Sequence, residues 1–290
     1  MAYAKAYFAV DMGALSGWYG TITVANDKTI QLQDGGWTQV YTGKFSYDLF
    51  YNVYGTLMGY SESYRGVTWY EVSGIRRDAH TFYTYMESGN AERAVGYLLS
   101  GSDQLVGSSQ NDVLFGFGSA DRIKGNGGND ALDGGSGRDA ISGGAGSDKL
   151  YGGGGNDRLF GDGGRDELSG GAGGDMLRGG LGRDKLTGDS GDDRFVFRSA
   201  AEAGRGSERD AILDFERGHD VIVLAAIDAN TKARGDQAFH FIGHDAFGGH
   251  AGELRFHNEI LRADTNGDGR ADFEIEISDL SSLGRGDFLL

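Results

Sequence analysis

The sequence predicts an all-β protein in three parts: a β-rich N-terminal domain over 1–97, a parallel repeat solenoid over 98–197 and an antiparallel C-terminal cap over 198–290. Two observations carry this expectation. Through the middle of the chain an aspartate recurs every nine residues, always two positions before an apolar residue. On either side of it, short apolar–polar alternations are separated by glycine, asparagine and aspartate, the pattern of strands joined by turns.

The N-terminal part reads as a β-meander. Its runs are WYGTITVAN, TIQLQD, TQVYTGKFSYDLF, YGTLMGYSES and GVTWYEVSGI, punctuated by turn signals such as Asn26–Asp27 and Gly35–Gly36. A helix over 91–99, capped by Asn90, is expected to deliver the chain onto the solenoid and shield its first coil. Twelve of the 14 tyrosines and all three tryptophans (Trp18, Trp37, Trp69) precede residue 96. Aromatics of this kind suit half-buried strand faces, and they also suit stacking on sugar rings or a protein surface. Neither HExxH nor GxSxG occurs; GYSES at 59–63 lacks the final glycine, and His80 is the one N-terminal histidine. These absences leave a non-enzymatic role first, with a small hydrolase or lyase acting within 1–97 as the alternative.

The repeat series runs Asp103, Asp112, Asp121, Asp130, Asp139, Asp148, Asp157, Asp166, Asp175, Asp184 and Asp193. Regular copies read GGSGRDAIS (134–142), GGAGSDKLY (143–151), GGGGNDRLF (152–160) and GGLGRDKLT (179–187). Such self-similarity at a fixed period points to a solenoid before any other architecture. Glycines at the first, second and fourth positions permit a tight turn, and three extended residues follow. Because the eighth position alone is reliably apolar, it alone is expected to face inward. Two units complete a coil, so the aspartates fall into two columns. Stacked strands lie about 4.8 Å apart, where unscreened carboxylates repel by roughly 1–4 kcal/mol. A hard divalent cation between coils removes that repulsion, and all-oxygen ligation selects calcium over zinc or copper. Magnesium, which holds its waters and demands octahedral geometry, fits poorly.

These residues resemble the repeat-in-toxin (RTX) family of calcium-binding nonapeptides, over eleven copies between residues 98 and 196. The resemblance implies a parallel β-roll with calcium ions between consecutive turns, held by Asp112 through Asp193 together with turn carbonyls. The first three copies depart from the pattern: paired glycines are missing before Asp103, Gln110 stands in the second turn, and Phe117 and Ser119 stand in the third. Weaker sites are expected there, Asp103 included.

Beyond the repeats, DAILDFERGHDVIVL (210–224) and the runs AFHFIG, GELRFHNEILRAD and DFEIEI alternate as strands do. The run through Asp210, Ile212, Asp214, Phe215, Gly218 and Asp220 resembles the C-terminal domain of serralysin-type secreted metalloproteases. Asp264, Asn266, Asp268, Gly269 and Asp272 fit five positions of an EF-hand loop, but Ile275 replaces its closing glutamate. Both a calcium site and an Asx-rich structural turn remain open there. His240 and His244 have helical zinc spacing in a strand-and-turn context, so surface or core histidines are expected instead.

The formal charge is −16, distributed as −2 over 1–95, −6 over 96–197 and −8 over 198–290. This balance argues against nucleic acid or an anionic membrane as partner. No cysteine is present, so disulfides and thiol chemistry are excluded. Proline is absent too, where average usage of roughly 5% would give over a dozen. The N-terminal apolar run is broken by Asp11 and reads as no conventional signal peptide, and no stretch approaches the ~20 apolar residues of a membrane span. The ending Asp287, Phe288, Leu289, Leu290 resembles the uncleaved C-terminal signal of type I exported proteins, and equally suits a terminal strand. Together these features imply an extracellular protein exported by type I machinery, with a glycan or cell surface as its expected partner.

Overall fold

A computed structural model describes residues 101–107 and 109–290 and, before them, the backbone of five strands. These are β1 (Thr21–Ala25), β2 (Thr29–Asp34), β3 (Trp37–Tyr47), β4 (Val53–Tyr64) and β5 (Val67–Asp78). They pair in chain order as an antiparallel meander, as the alternation predicts. The helix expected over 91–99 and His80 lie outside the described residues.

Eleven strands follow, one per repeat aspartate, from β6 (Gln104–Val106) to β16 (Arg194–Val196). Even-numbered strands form one parallel sheet and odd-numbered strands the other. Within a sheet, neighbours come from units two apart: Leu150 sits in register with Leu132 and Leu168, and Ile141 with Ile123 and Leu159. This is the two-unit coil of a β-roll.

The structure corrects two expectations of the repeat. Strands in the regular copies exceed three residues; β11 (Lys149–Gly154) has six. Every coil repeats the same backbone path, so even turn amides find carbonyls in the neighbouring coil, as Gly154 N–H does at Gly135 O (2.7 Å) and Gly155 N–H at Ala172 O (2.7 Å). Nor does the eighth position alone face inward. Around Leu150, both Asp148 and Gly152 are buried too. Alternation along an extended backbone sends positions six, eight and one to the same side. Only the middle one must be apolar, because glycine presents no side chain and the aspartate has hydrogen-bond partners inside.

Both flanks join the roll by strand pairing. β5 runs antiparallel to β6, with Glu71 opposite Val106, so the meander and one face of the roll share a 13-stranded sheet. At the other end the single turn α1 (Ala200–Ala203) interrupts the coil. The chain then returns as β17 (Asp210–Ile212), parallel to β15 (Lys185–Ser190), and β18 (Val221–Val223), parallel to β16. The roll therefore runs one coil past its last glycine-rich turn.

The expected antiparallel cap is antiparallel only in β20 (Glu253–His257), β21 (Ile260–Asp264) and β22 (Phe273–Ile277). Its remaining pairings are parallel: β22 on β17, β19 (His240–Phe241) on β20, and β23 (Phe288–Leu289) on β18. The C-terminal tail is thus a terminal strand. Phe195, Phe197, Phe256 and Phe273 replace the slim leucine stack where the solenoid ends. Each large buried side chain contributes about 1.5–3 kcal/mol by leaving water. Among the described residues, no helix is long and apolar enough to cross a membrane.

Candidate metal centre

The repeat aspartates stand in two ladders inside the roll. From Asp121 onward, each directs Oδ1 at the backbone N–H of the aspartate one coil earlier. On one side Asp121 accepts from Asp103, Asp139 from Asp121, Asp157 from Asp139, Asp175 from Asp157 and Asp193 from Asp175, at 2.7–2.8 Å. On the other, Asp130 accepts from Asp112, Asp148 from Asp130, Asp166 from Asp148 and Asp184 from Asp166, at 2.8–2.9 Å. This bond explains why the residue must be aspartate: the short side chain reaches the coil beneath it without leaving its own rung.

The second oxygen is treated differently. Oδ2 of Asp130, Asp139, Asp148, Asp157, Asp166, Asp175 and Asp184 is buried and has no hydrogen-bond partner. A buried carboxylate oxygen without a partner is costly, and a stack of them more so. Burial pushes Asp157 up to about 6, with Asp175 and Asp139 adding to the rise against the pull of the Asp139 amide. Asp166 reaches about 7 from burial, with Asp184, Asp148 and Asp162 adding like charge. Asp184 rises to about 6 and Asp193 to about 7, again through burial first. Asp130, Asp139, Asp148 and Asp175 shift the same way. Burial thus opposes ionisation of the carboxyl groups along both ladders.

A cation removes both penalties, and the turn is built to admit one. The first glycine of each unit stands against the orphaned oxygen: a Cβ on Gly152 would lie 2.6 Å from Asp157 Oδ2 and 2.4 Å from Gly170 O. At Gly125 the corresponding distances are 2.1 Å to Asp130 Oδ2 and 2.5 Å to Gly143 O. An anionic oxygen and a main-chain carbonyl therefore converge on a spot that any side chain would fill. Hard oxygen donors of this kind, one carboxylate with several carbonyls, suit calcium. Among the described residues no three His, Cys, Asp or Glu side chains gather at one point, so most donors to such an ion must be carbonyls. The residues fit the ion; calcium, when bound there, would supply the positive charge that offsets the buried carboxylates.

The irregular first turns keep the ladder and lose the glycines. Phe117, Ser119 and Asn126 adopt the left-handed backbone that glycine takes elsewhere (φ 68°, 75° and 75°). Asn126 offsets part of that strain by donating its side-chain N–H to Gly107 O at 2.7 Å.

The loop after β21 handles its acids differently. Asp264 is fully buried, and all its acceptor capacity faces the loop: Oδ1 accepts from Asn266 N (3.1 Å) and Gly267 N (2.6 Å), Oδ2 from Gly269 N (2.8 Å). Asp272 accepts from Thr265 N, Thr265 Oγ1 and Asn266 Nδ2, each at 2.7 Å. Asp268 Oδ1 takes the amide of Arg270. Of the four histidines beyond β18, the rings of His244 and His257 approach to 6.3 Å, while His250 Nδ1 lies 3.3 Å from Glu253.

The sequence reading ends the aspartate series at Asp193, whereas the ladders continue. Asp210 Oδ1 accepts from Asp184 N at 2.8 Å and Asp220 Oδ1 from Asp193 N at 3.0 Å. Asp214 then closes the last turn, taking the amides of Gly188 (2.9 Å) and Asp189 (2.7 Å). The available signal was the surviving Asp-x-apolar rhythm, Asp210 before Ile212 and Asp220 before Ile222, once the glycines are ignored.

Fold and site together define a calcium-binding parallel β-roll. Residues 98–132, 133–168 and 169–198 each match the model of the RTX calcium-binding nonapeptide repeat, so this stretch of the chain carries RTX calcium-binding repeats. Among solved structures the chain is similar to the R3 subunit of the AlgE6 mannuronan C5-epimerase of Azotobacter vinelandii, at 22% identity over 63% of this chain and 80% of that one, with a TM-score of 0.28. It is also similar to the R2 subunit, at 25% identity over 64% and 91%, with a TM-score of 0.29. At those scores neither likeness bears on activity. No curated protein matches the chain significantly.

Proposed function

We propose that the protein is exported and folds outside the cell on binding calcium. In this reading it has three parts, 1–97, 98–197 and a serralysin-like 198–290. Asp112 through Asp193, with Asp103 more weakly, hold calcium through their Oδ2 atoms and the turn carbonyls. The observation that carries the reading is the buried, partnerless Oδ2 repeated from Asp130 to Asp184. Extracellular calcium modules typically have Kd values of about 10⁻⁴–10⁻³ M, above cytosolic calcium, so mass action favours the unfolded chain inside and the folded one outside. A proline-free chain also lacks the slow X-Pro folding step. Export by type I machinery fits a chain built on RTX repeats.

Calorimetric calcium titration of the full chain tests the residue assignment. Asp148→Ala is expected to lower stoichiometry and cooperativity, because its column neighbours lose a shared rung, while the exposed Asp236→Ala leaves both intact. Identical isotherms for the two variants would sink it.

For the N-terminal part we propose binding to a glycan or cell surface through its tyrosines and tryptophans, supported by their concentration before residue 96, with Trp37 on β3 and Trp69 on β5 of the meander. Loss of glycan-array binding in Trp37→Ala and Trp69→Ala would support this; unchanged binding would favour the alternative, a hydrolase or lyase within 1–97. The loop at Asp264, Asn266, Asp268 and Asp272 we read as a structural turn, since its own amides occupy its carboxylates.

A further inference from the structure

The last coil of the roll has no glycine-rich turn, yet one of its acids reproduces the repeat aspartates atom for atom. Asp210 lies 26 residues after Asp184 rather than 18, because Ser199, α1 and the short turn Gly206–Glu208 are inserted between them. The chain nevertheless re-enters in register: Lys185 pairs with Ala211 and Leu186 with Ile212. Asp210 is completely buried, its Oδ1 holds the Asp184 amide, and its Oδ2 is buried with no hydrogen-bond partner.

Its surroundings deepen the anomaly. The charged groups that act on it, Asp184, Glu202 and Asp166, are all acidic. Glu202 is already neutralised by Arg178 (2.5 Å) and by the Arg198 amide (2.9 Å), which leaves nothing for Asp210. The other acids of the last coil are satisfied. Asp214 uses both oxygens on amides, and Asp220 gives Oδ1 to Asp193 N and Oδ2 to Glu216 N. The contrast between Asp220 and Asp210 therefore separates the two columns: one ends in a closed hydrogen-bond cap, the other in an open acceptor.

We infer that Asp210 is a ligand of one further calcium ion, bound on the Asp184–Asp210 step beyond the nonapeptide repeats, with Asp184 as a second carboxylate donor. This rests on the reading of the repeat aspartates as calcium ligands. Its consequence is that the coil 210–224, onto which the tail strand β23 pairs, is fastened to the roll by a metal. No equivalent ion belongs at Asp220.

Two measurements on the full chain test this. In crystals grown with calcium, an anomalous peak is expected at about 2.3–2.6 Å from Asp210 Oδ2; peaks at Asp139 and Asp157 but none at Asp210 would overturn the inference and leave the repeat reading intact. Native mass spectrometry then counts ions. Asp210→Asn keeps the acceptor for the Asp184 amide and is expected to bind one calcium fewer than the wild-type chain, as is Asp139→Asn. If Asp139→Asn loses an ion and Asp210→Asn does not, the further site is refuted alone. If neither loses one, both readings fall. Should Asp210→Asn not fold, the anomalous map of the unmodified protein still decides.

Discussion

The roll and the loop at 264–272 both bury aspartates, and they resolve the burial in opposite ways. In the loop, left-handed Gly267 and Gly269 turn successive amides toward Asp264, which ends with three donors on its two oxygens. In the roll, the turn amides are spent on the neighbouring coil, so each aspartate from Asp130 to Asp184 receives one amide and keeps one bare oxygen. Acidic residues in a glycine-rich turn thus do not by themselves imply a metal. What matters is whether the backbone leaves the carboxylate unsatisfied, and the repeating backbone does so at each rung from Asp130 to Asp184.

Changes that break the roll's repetition should have the largest effects. Gly155 has φ 137°, and a Cβ there would meet Gly137 O at 1.5 Å. Gly155→Ala is expected to abolish the cooperative calcium-dependent transition, whereas Gly269→Ala, with open space around it, should cost only the strain of a left-handed alanine. Thermal melts in saturating calcium measure both.

Next comes pH in the metal-free protein. Asp157, Asp166, Asp184 and Asp193 have folded-state values of about 6, 7, 6 and 7, above the ordinary 3.8. A raised value means the folded form binds the extra protons, so their contribution is fully present below the ordinary carboxyl range and is lost as pH rises through about 6–7. Residual β signal in EDTA should therefore be greatest in mild acid and fade toward neutrality. Calcium affinity should run the other way and strengthen across the same window, as protons cease to compete. A metal-free roll equally stable at pH 5 and pH 8 would contradict the burial argument.

Single acids separate the two regions more finely. Asp157→Asn should be neutral or mildly stabilising in EDTA, since it removes a buried ionisable oxygen, yet should cost stability in calcium. One site at a hundred times its Kd is worth about 2.7 kcal/mol. Asp264→Asn should cost about 1–3 kcal/mol with or without calcium, because it disrupts amide hydrogen bonds. Chemical denaturation of both variants in calcium, with the residual β signal of each in EDTA, tests the distinction. The smallest effect belongs to the surface: Glu167 bridges Lys149 (3.2 Å) and Lys185 (3.1 Å) across the sheet, but all three are about half exposed. Glu167→Gln should change stability by about 1 kcal/mol or less, and by less still at high salt.

Much of this was legible in the sequence, because the repeat fixes backbone and side chains together. The period alone places Leu132, Leu150 and Leu168 in register, and alternation alone outlines the five N-terminal strands. The inward position of the aspartates was not legible. Polarity suggested an outward carboxylate, while its real partner, an amide 18 residues earlier in the chain, exists only once the coils stack. The extra coil was hidden for a related reason. The insertion carrying α1 breaks the nine-residue count, so Asp210 and Asp220 look like ordinary turn acids until strand pairing returns them to the ladders. The antiparallel core of the cap, β20 to β22, follows from alternation, but the parallel pairings that join the cap to the roll do not, because alternation marks a strand and not the direction of its partner.

The most direct test of the central claim is a calcium titration of the full chain at neutral pH, followed by far-UV circular dichroism. The account predicts a largely unordered 100–196 region in EDTA and a cooperative gain of β signal as calcium reaches the millimolar range, with magnesium failing to substitute. A spectrum that is already fully β in EDTA, and unchanged by calcium, would contradict it.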